Sequence, residues 1–249
     1  MPDNQLIGLA TDFFQNSLDT SPTSAIMRGH KKYFDQIEQL TVDQFEREEE
    51  IVDSFIKRLN AIDQNKLTNR EKVTHGMLEF ALSSNQDYLL DRNWEFGAGV
   101  SGFTGFLIDY NQQMFIPDSE SADMMLKRLE LYKRLYTQIA EVQKVGLNNN
   151  RVATERNLLR TIDQLENYLA SSLDQDPLLL VNFSPEISDT EISEWKNKAI
   201  NIIDSNIRPS VSAYLDQLKT DHLPKGRGDD KCGIMWIDGG EESYLRSLR

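Results

Sequence analysis

The sequence predicts an all-α fold: an antiparallel bundle of helical hairpins with one glycine-aromatic loop and an irregular C-terminal tail. Three observations carry the prediction. The first is the stretch from Ser121 to Leu173. There Met125, Leu129, Tyr132, Leu135, Tyr136, Ile139 and Val142 recur every three or four residues, the spacing that returns side chains to one face of a helix. The run stops at Gly146-Leu147-Asn148-Asn149-Asn150, and a second stripe follows through Val152, Leu158, Leu159, Ile162, Leu165, Tyr168, Leu169 and Leu173. Two such helices joined by a short polar turn are expected to lie antiparallel, burying their stripes against each other and a third layer. The second observation is a set of helix starts. Thr41 with Gln44, Thr68 with Glu71 and Ser188 with Glu191 all have the form of a capping box. The third is composition. A chain of 249 residues, 39% hydrophobic and 27% charged, can bury a substantial core. With no linker and no fixed-period repeat, residues 1–249 read as a single domain.

Taken in order, Gln5 to Ser17 opens the chain as an amphipathic helix carrying Leu6, Leu9, Phe13 and Phe14. Ser21-Pro22-Thr23-Ser24 forms a turn feeding a short helix over Ala25 to Met27. The helix after Thr41 presents Phe45, Val52, Phe55, Ile56, Leu59 and Ile62, and the one after Thr68 presents Val73, Met77, Phe80, Ala81 and Tyr88. From Asn93 to Pro117 the pattern breaks. Glycines at 97, 99, 102 and 105 are interleaved with aromatics at 94, 96, 103, 106, 110 and 115. Each glycine costs a helix about 1 kcal/mol, so this segment reads as irregular. Beyond the central hairpin, Leu178 to Val181 is too short an apolar run to classify. The helix after Ser188 carries Ile192, Trp195, Ala199, Ile202, Ile203 and Ile207 and is interrupted by Pro209. A last helix through Val211, Tyr214, Leu215 and Leu218 ends near Leu223-Pro224, and the tail turns glycine-rich.

Charge excludes some partners. Forty acidic residues against 27 basic ones give a net charge of -13, a field that repels both nucleic-acid backbones and anionic membrane surfaces. The start of the chain has no secretory signal pattern, and no stretch approaches the roughly 20 apolar residues that cross a bilayer, so the expected location is cytoplasmic. Cys232 is the one cysteine, which excludes an internal disulfide.

The motifs that could carry chemistry are weak. Gly97, Gly99 and Gly102 match the letters of a dinucleotide fingerprint but follow a helix, with no strand before them. His30, His75 and His222 are scattered, and none belongs to a His-Glu-x-x-His run. The acidic run from Asp43 to Asp53 lacks calcium-loop spacing and suits a solvated helix face. No histidine stands near Cys232 in sequence to activate it. These residues therefore supply neither catalytic nor metal-binding candidates.

Three patches, in their order, resemble the N-terminal half of the bacterial family known as domain of unknown function 885. They are Ser21 to Ala25, the hairpin with Asp123 to Leu135 leading to Gln143 through Gly146 and Arg151, and the tail from Gly233 to Leu245. The tail resembles the family's glycine-tyrosine passage, with Ser243 where tyrosine is common. The resemblance implies a helical zinc-dependent peptidase whose metal ligands sit in the C-terminal half, on a His-Glu-x-x-Pro-Gly-His helix absent from this sequence. It implies, for this chain, the N-terminal cleft-wall portion of a larger peptidase-like protein, without catalytic residues and inactive alone. Zinc is expected only in the missing C-terminal half. Partners implied are that half, as the same or a separate product, and in the complete protein a peptide substrate. The residues implied to face the substrate cleft are Trp94, Gly102, Tyr110 and Tyr244. The alternative is a stand-alone helical interaction module. Either reading leaves an uncovered apolar surface, with self-association as its consequence.

Overall fold

The computed structural model describes residues 4–97 and 110–248, and they are overwhelmingly helical, with a single two-residue strand pair. The chain divides into two compact units, each woven from separated segments. Residues 1–20, 41–93 and 234–249 make the first; residues 21–40 and 94–233 make the second.

In unit 1, α1 (Asn4–Thr20) buries Leu6, Leu9 and Leu18, and Phe13 meets Phe55 of α3 (Val42–Asn60) edge to face at 5.9 Å. The start of α3 is half of the expected box. Thr41 accepts from the Gln44 amide, but the Gln44 side chain donates forward to Glu48. At α4 (Asn69–Asp91) the box is complete, with Glu71 accepting from the Thr68 amide at 2.8 Å. The face of α4 is a correction to the sequence reading. His75, Leu78, Leu82 and Leu89 are buried, whereas Val73, Met77, Phe80 and Tyr88 are 63%, 68%, 72% and 51% exposed. The tail is also more regular than expected. It ends in α10 (Gly240–Ser247), whose Arg246 donates to Asp91 of α4 at 2.7 Å.

Unit 2 holds α2 (Pro22–Met27), α5 (Ser119–Glu130), α6 (Tyr132–Asn148), α7 (Glu155–Ala170), α8 (Asp189–Ile202) and α9 (Arg208–Gln217). The first limb of the predicted hairpin is thus two helices, divided at Leu131. Its stripe from Met125 to Val142 is buried throughout. Rather than packing chiefly on each other, α6 and α7 both pack on α9, which is the third layer.

Pro209 does not interrupt the chain's helical path. A π-turn over Ile203–Ile207 joins α8 to α9, and a second over Leu218–His222 follows. The wider turn accommodates the proline, which has no N–H to donate and a ring that crowds the preceding turn. Strand β1 (Phe115–Ile116) pairs in parallel with β2 (Asn182–Phe183), resolving the short apolar run before it into a 3-10 turn over Pro177–Leu179. Trp195 of α8 donates its indole N–H to the Ala122 carbonyl of α5 at 2.8 Å.

Charged groups also hold unit 2 together. Arg128 is 1% exposed; it donates to the Gln36 carbonyl and, at 2.5 Å, to Thr23 Oγ1. Glu38 completes the group by accepting from the Thr23 amide and hydroxyl at 2.9 and 2.8 Å. Gln138 accepts from the Leu40 amide, so residues 23–40 are tied down along α5 and α6. Tyr132, Tyr136, Tyr168 and Tyr214 are among the tyrosines buried in the same unit. Burial pushes the Tyr132 phenol up to about 12 and raises the other three well above the ordinary value of 10.

Candidate functional site

The glycine-aromatic segment is the part of the sequence least explained by helix packing, and its described ends lie in unit 2. At the upstream end, a 3-10 turn over Asn93–Glu95 buries Trp94 and Glu95. Glu95 pairs with Arg151 at 2.7 Å, both nearly inaccessible, and the Arg151 guanidinium stacks over Phe96 with 5.3 Å to the ring centre. Arg151 reaches this position because α6 ends sharply. Asn150 takes a left-handed φ of 55°, and the Arg151 amide donates to the Gly146 carbonyl at 2.8 Å.

Gly146 sets how closely α6 and residues 93–97 approach. A Cβ at that position would lie 2.2 Å from the Glu95 carbonyl oxygen, a backbone atom with nowhere to go. Gly76, in the middle of α4, has nothing within 4 Å of the same added atom. The identical substitution should therefore have opposite signs at the two sites. Gly146→Ala is expected to destabilise by about 2 kcal/mol and lower the midpoint by roughly 4–8 °C, while Gly76→Ala should gain up to about 1 kcal/mol. Thermal unfolding followed by circular dichroism checks both; a neutral Gly146→Ala would discard the close approach.

Downstream, Tyr110 enters a 3-10 turn over Asn111–Gln113. Asn111 is buried and donates to the Leu178 carbonyl, and Asn182 donates to the Gln112 carbonyl at 3.0 Å. The ladder between β1 and β2 then fixes residues 114–116. Tyr110 and Phe115 keep exposed rings at this end.

Of the four residues implied by the resemblance to face a cleft, Trp94 is buried, Tyr110 is partly exposed, and Gly102 lies outside the described residues. Tyr244 is exposed on α10, in unit 1. The Glu95–Arg151 pair that fixes the upstream end was not foreseen; the turn-forming Asn149-Asn150 just before Arg151 was the available signal. Exposed aromatic faces suit packing on apolar or planar groups of a ligand. A concavity of about 370 Å³ lies between α6 and α9, lined by Lys133, Thr137, Asn206, Ser210 and Gln217 among others. Among the described residues no three His, Cys, Asp or Glu side chains gather as a metal site. Nor is any helix among them long and apolar enough to cross a membrane.

The family described as "Bacterial protein of unknown function (DUF885)" matches residues 22–249, nearly the whole sequence. The chain belongs to the DUF885 family. Among solved structures, this DUF885 chain is similar to one described as "the putative lipoprotein from Colwellia psychrerythraea", with a TM-score of 0.80 and 15% identity. The likeness covers 98% of the present chain and 45% of the other, so the DUF885 chain spans less than half the length of that structure. At such identity the fold alone is shared. No curated protein matches the sequence.

Proposed function

We propose that this chain is the N-terminal, cleft-wall portion of a larger zinc-peptidase-like protein. The observation that carries the reading is the family match over residues 22–249, joined to a fold likeness that takes in 98% of this chain but 45% of its counterpart. On this reading the remainder of the protein would supply a His-Glu-x-x-Pro-Gly-His helix to hold a zinc ion, whose chemistry when bound would be activation of water for peptide hydrolysis. The present chain contributes substrate contacts, Tyr110 and Phe115 among them, displayed from ends anchored by Arg151 and β2.

The purified chain, supplied with zinc and a mixed peptide library, is expected to give no chelator-sensitive cleavage. The longer polypeptide carrying the metal helix should cleave, and there Tyr110→Ala should raise KM while leaving kcat nearly unchanged. Chelator-sensitive hydrolysis by the purified chain would refute the proposal. One observation favours a second reading, a helical interaction module: the exposed apolar row on α4.

A further inference from the structure

α6 and α9 run in the same direction, tied together near both ends by an amide side chain. Asn206 donates to the carbonyl of Glu130, just before α6, at 2.9 Å. Gln217 donates to the Ala140 carbonyl, also at 2.9 Å. Between these ties lies the groove of about 370 Å³, a size that suits a small ligand. Tyr136 and Tyr214 are buried beneath it with ring centres 5.9 Å apart, and Ala140 and Ala213 are too short to fill the space above. The groove runs the length of α9, from the π-turn that holds Asn206 to the one that begins after Gln217. Single π-turns recur at functional sites.

The polar groups of the groove say what enters it. Lys133 is the one charged residue among the described residues lining it, in a chain of net charge -13. Its ammonium has no partner among the described residues, so it selects an anionic group. The hydroxyls ask for the opposite. Thr137 donates to the Lys133 carbonyl at 2.9 Å, Ser205 to the Asn201 carbonyl at 2.6 Å and Ser210 to the Asn206 carbonyl at 2.7 Å. With those protons committed to their own helices, the three oxygens offer lone pairs, and a ligand meets them with N–H or O–H donors. An anion beside a row of donors describes a peptide with a free C-terminal carboxylate. The length agrees. From Lys133 to Ala140 is about 10 Å at roughly 1.5 Å per residue, the reach of three extended residues at about 3.3 Å each.

We propose that the groove between α6 and α9 binds the C-terminal end of a peptide, about three residues of it, with the carboxylate on Lys133. The claim concerns unit 2 alone and stands whether or not the peptidase reading holds.

Calorimetric titration of the purified chain with N-acetyl-trialanine should give a dissociation constant of roughly 0.1 mM, ordinary for a ligand of that size. The C-terminal amide of the same peptide should bind about fivefold more weakly. On Lys133→Met the acid and the amide should bind alike, because the group that tells them apart is gone. Ala213→Leu fills the groove from an exposed helix position, and should weaken binding at least about tenfold with helical circular dichroism unchanged. Gluconate matches the charge and the donors without the peptide backbone, and should bind more weakly than the tripeptide. No heat at millimolar tripeptide overturns the proposal. Equal binding of acid and amide to the unmodified chain, or binding indifferent to Ala213→Leu, overturns it equally. Gluconate binding as tightly as the tripeptide overturns it too, and assigns the groove to a hydroxy acid.

Discussion

Raising the pH from about 9 to about 11 should unfold unit 2 cooperatively, with tyrosinate absorbance and loss of helical signal appearing together. Tyr132, Tyr136, Tyr168 and Tyr214 are buried, and burial raises the pKa of each above the ordinary value of 10. The sign follows from linkage. A group whose folded pKa lies above its unfolded one contributes stability below the unfolded value and loses it as the pH climbs toward the folded value. Each phenol then costs about 1.4 kcal/mol per pH unit above 10. Four of them remove roughly 5 kcal/mol by pH 11, comparable with the whole stability of many domains. Tyr→Phe replacement at Tyr136 should move the transition upward in pH. If all eight tyrosines ionised with the helices intact, the burial described for these four would be wrong.

Arg128→Ala should be the most damaging single substitution in unit 2, at about 3–5 kcal/mol and a midpoint roughly 6–20 °C lower. Removing the guanidinium leaves the Gln36 carbonyl without its donor and the Glu38 carboxylate, 12% exposed, without the Arg128 cation 4.0 Å away. An uncompensated buried charge is worse than no charge. Adding Glu38→Gln should therefore recover part of the loss, a non-additivity that a double-mutant cycle in urea would measure. Hydrogen exchange should show residues 23–40 opening first in the single variant. A loss below about 1 kcal/mol would mean the cluster contributes little.

How far the sequence revealed this architecture varied with the element. Stripes on one side of a helix were legible, as from Met125 to Val142, because a single periodic face has a single way to pack. α4 was not, since apolar residues occupy two sides and periodicity cannot say which turns inward. The paired Thr68 and Glu71 gave a complete box, whereas Gln44 had a competitor in Glu48, one turn ahead. Pro209 read as a break because the remedy, a widened turn upstream, leaves no residue signature. Buried ion pairs such as Glu95 with Arg151 join positions 56 apart in sequence, and no local pattern announces them. The expectation of one domain rested on the absence of a linker. Compact units woven from separated segments, as here, need no linker between them.

The Arg246–Asp91 bond joins residues 155 apart in the chain. On a ribosome, α1, α3 and α4 emerge early, yet their last neighbour, α10, is made only after all of unit 2. Vectorial synthesis therefore favours maturation of the inserted portion before the portion that holds the N-terminal helix is complete. Closing so long a loop is slow, and during that interval the incomplete helices are exposed to proteases and chaperones.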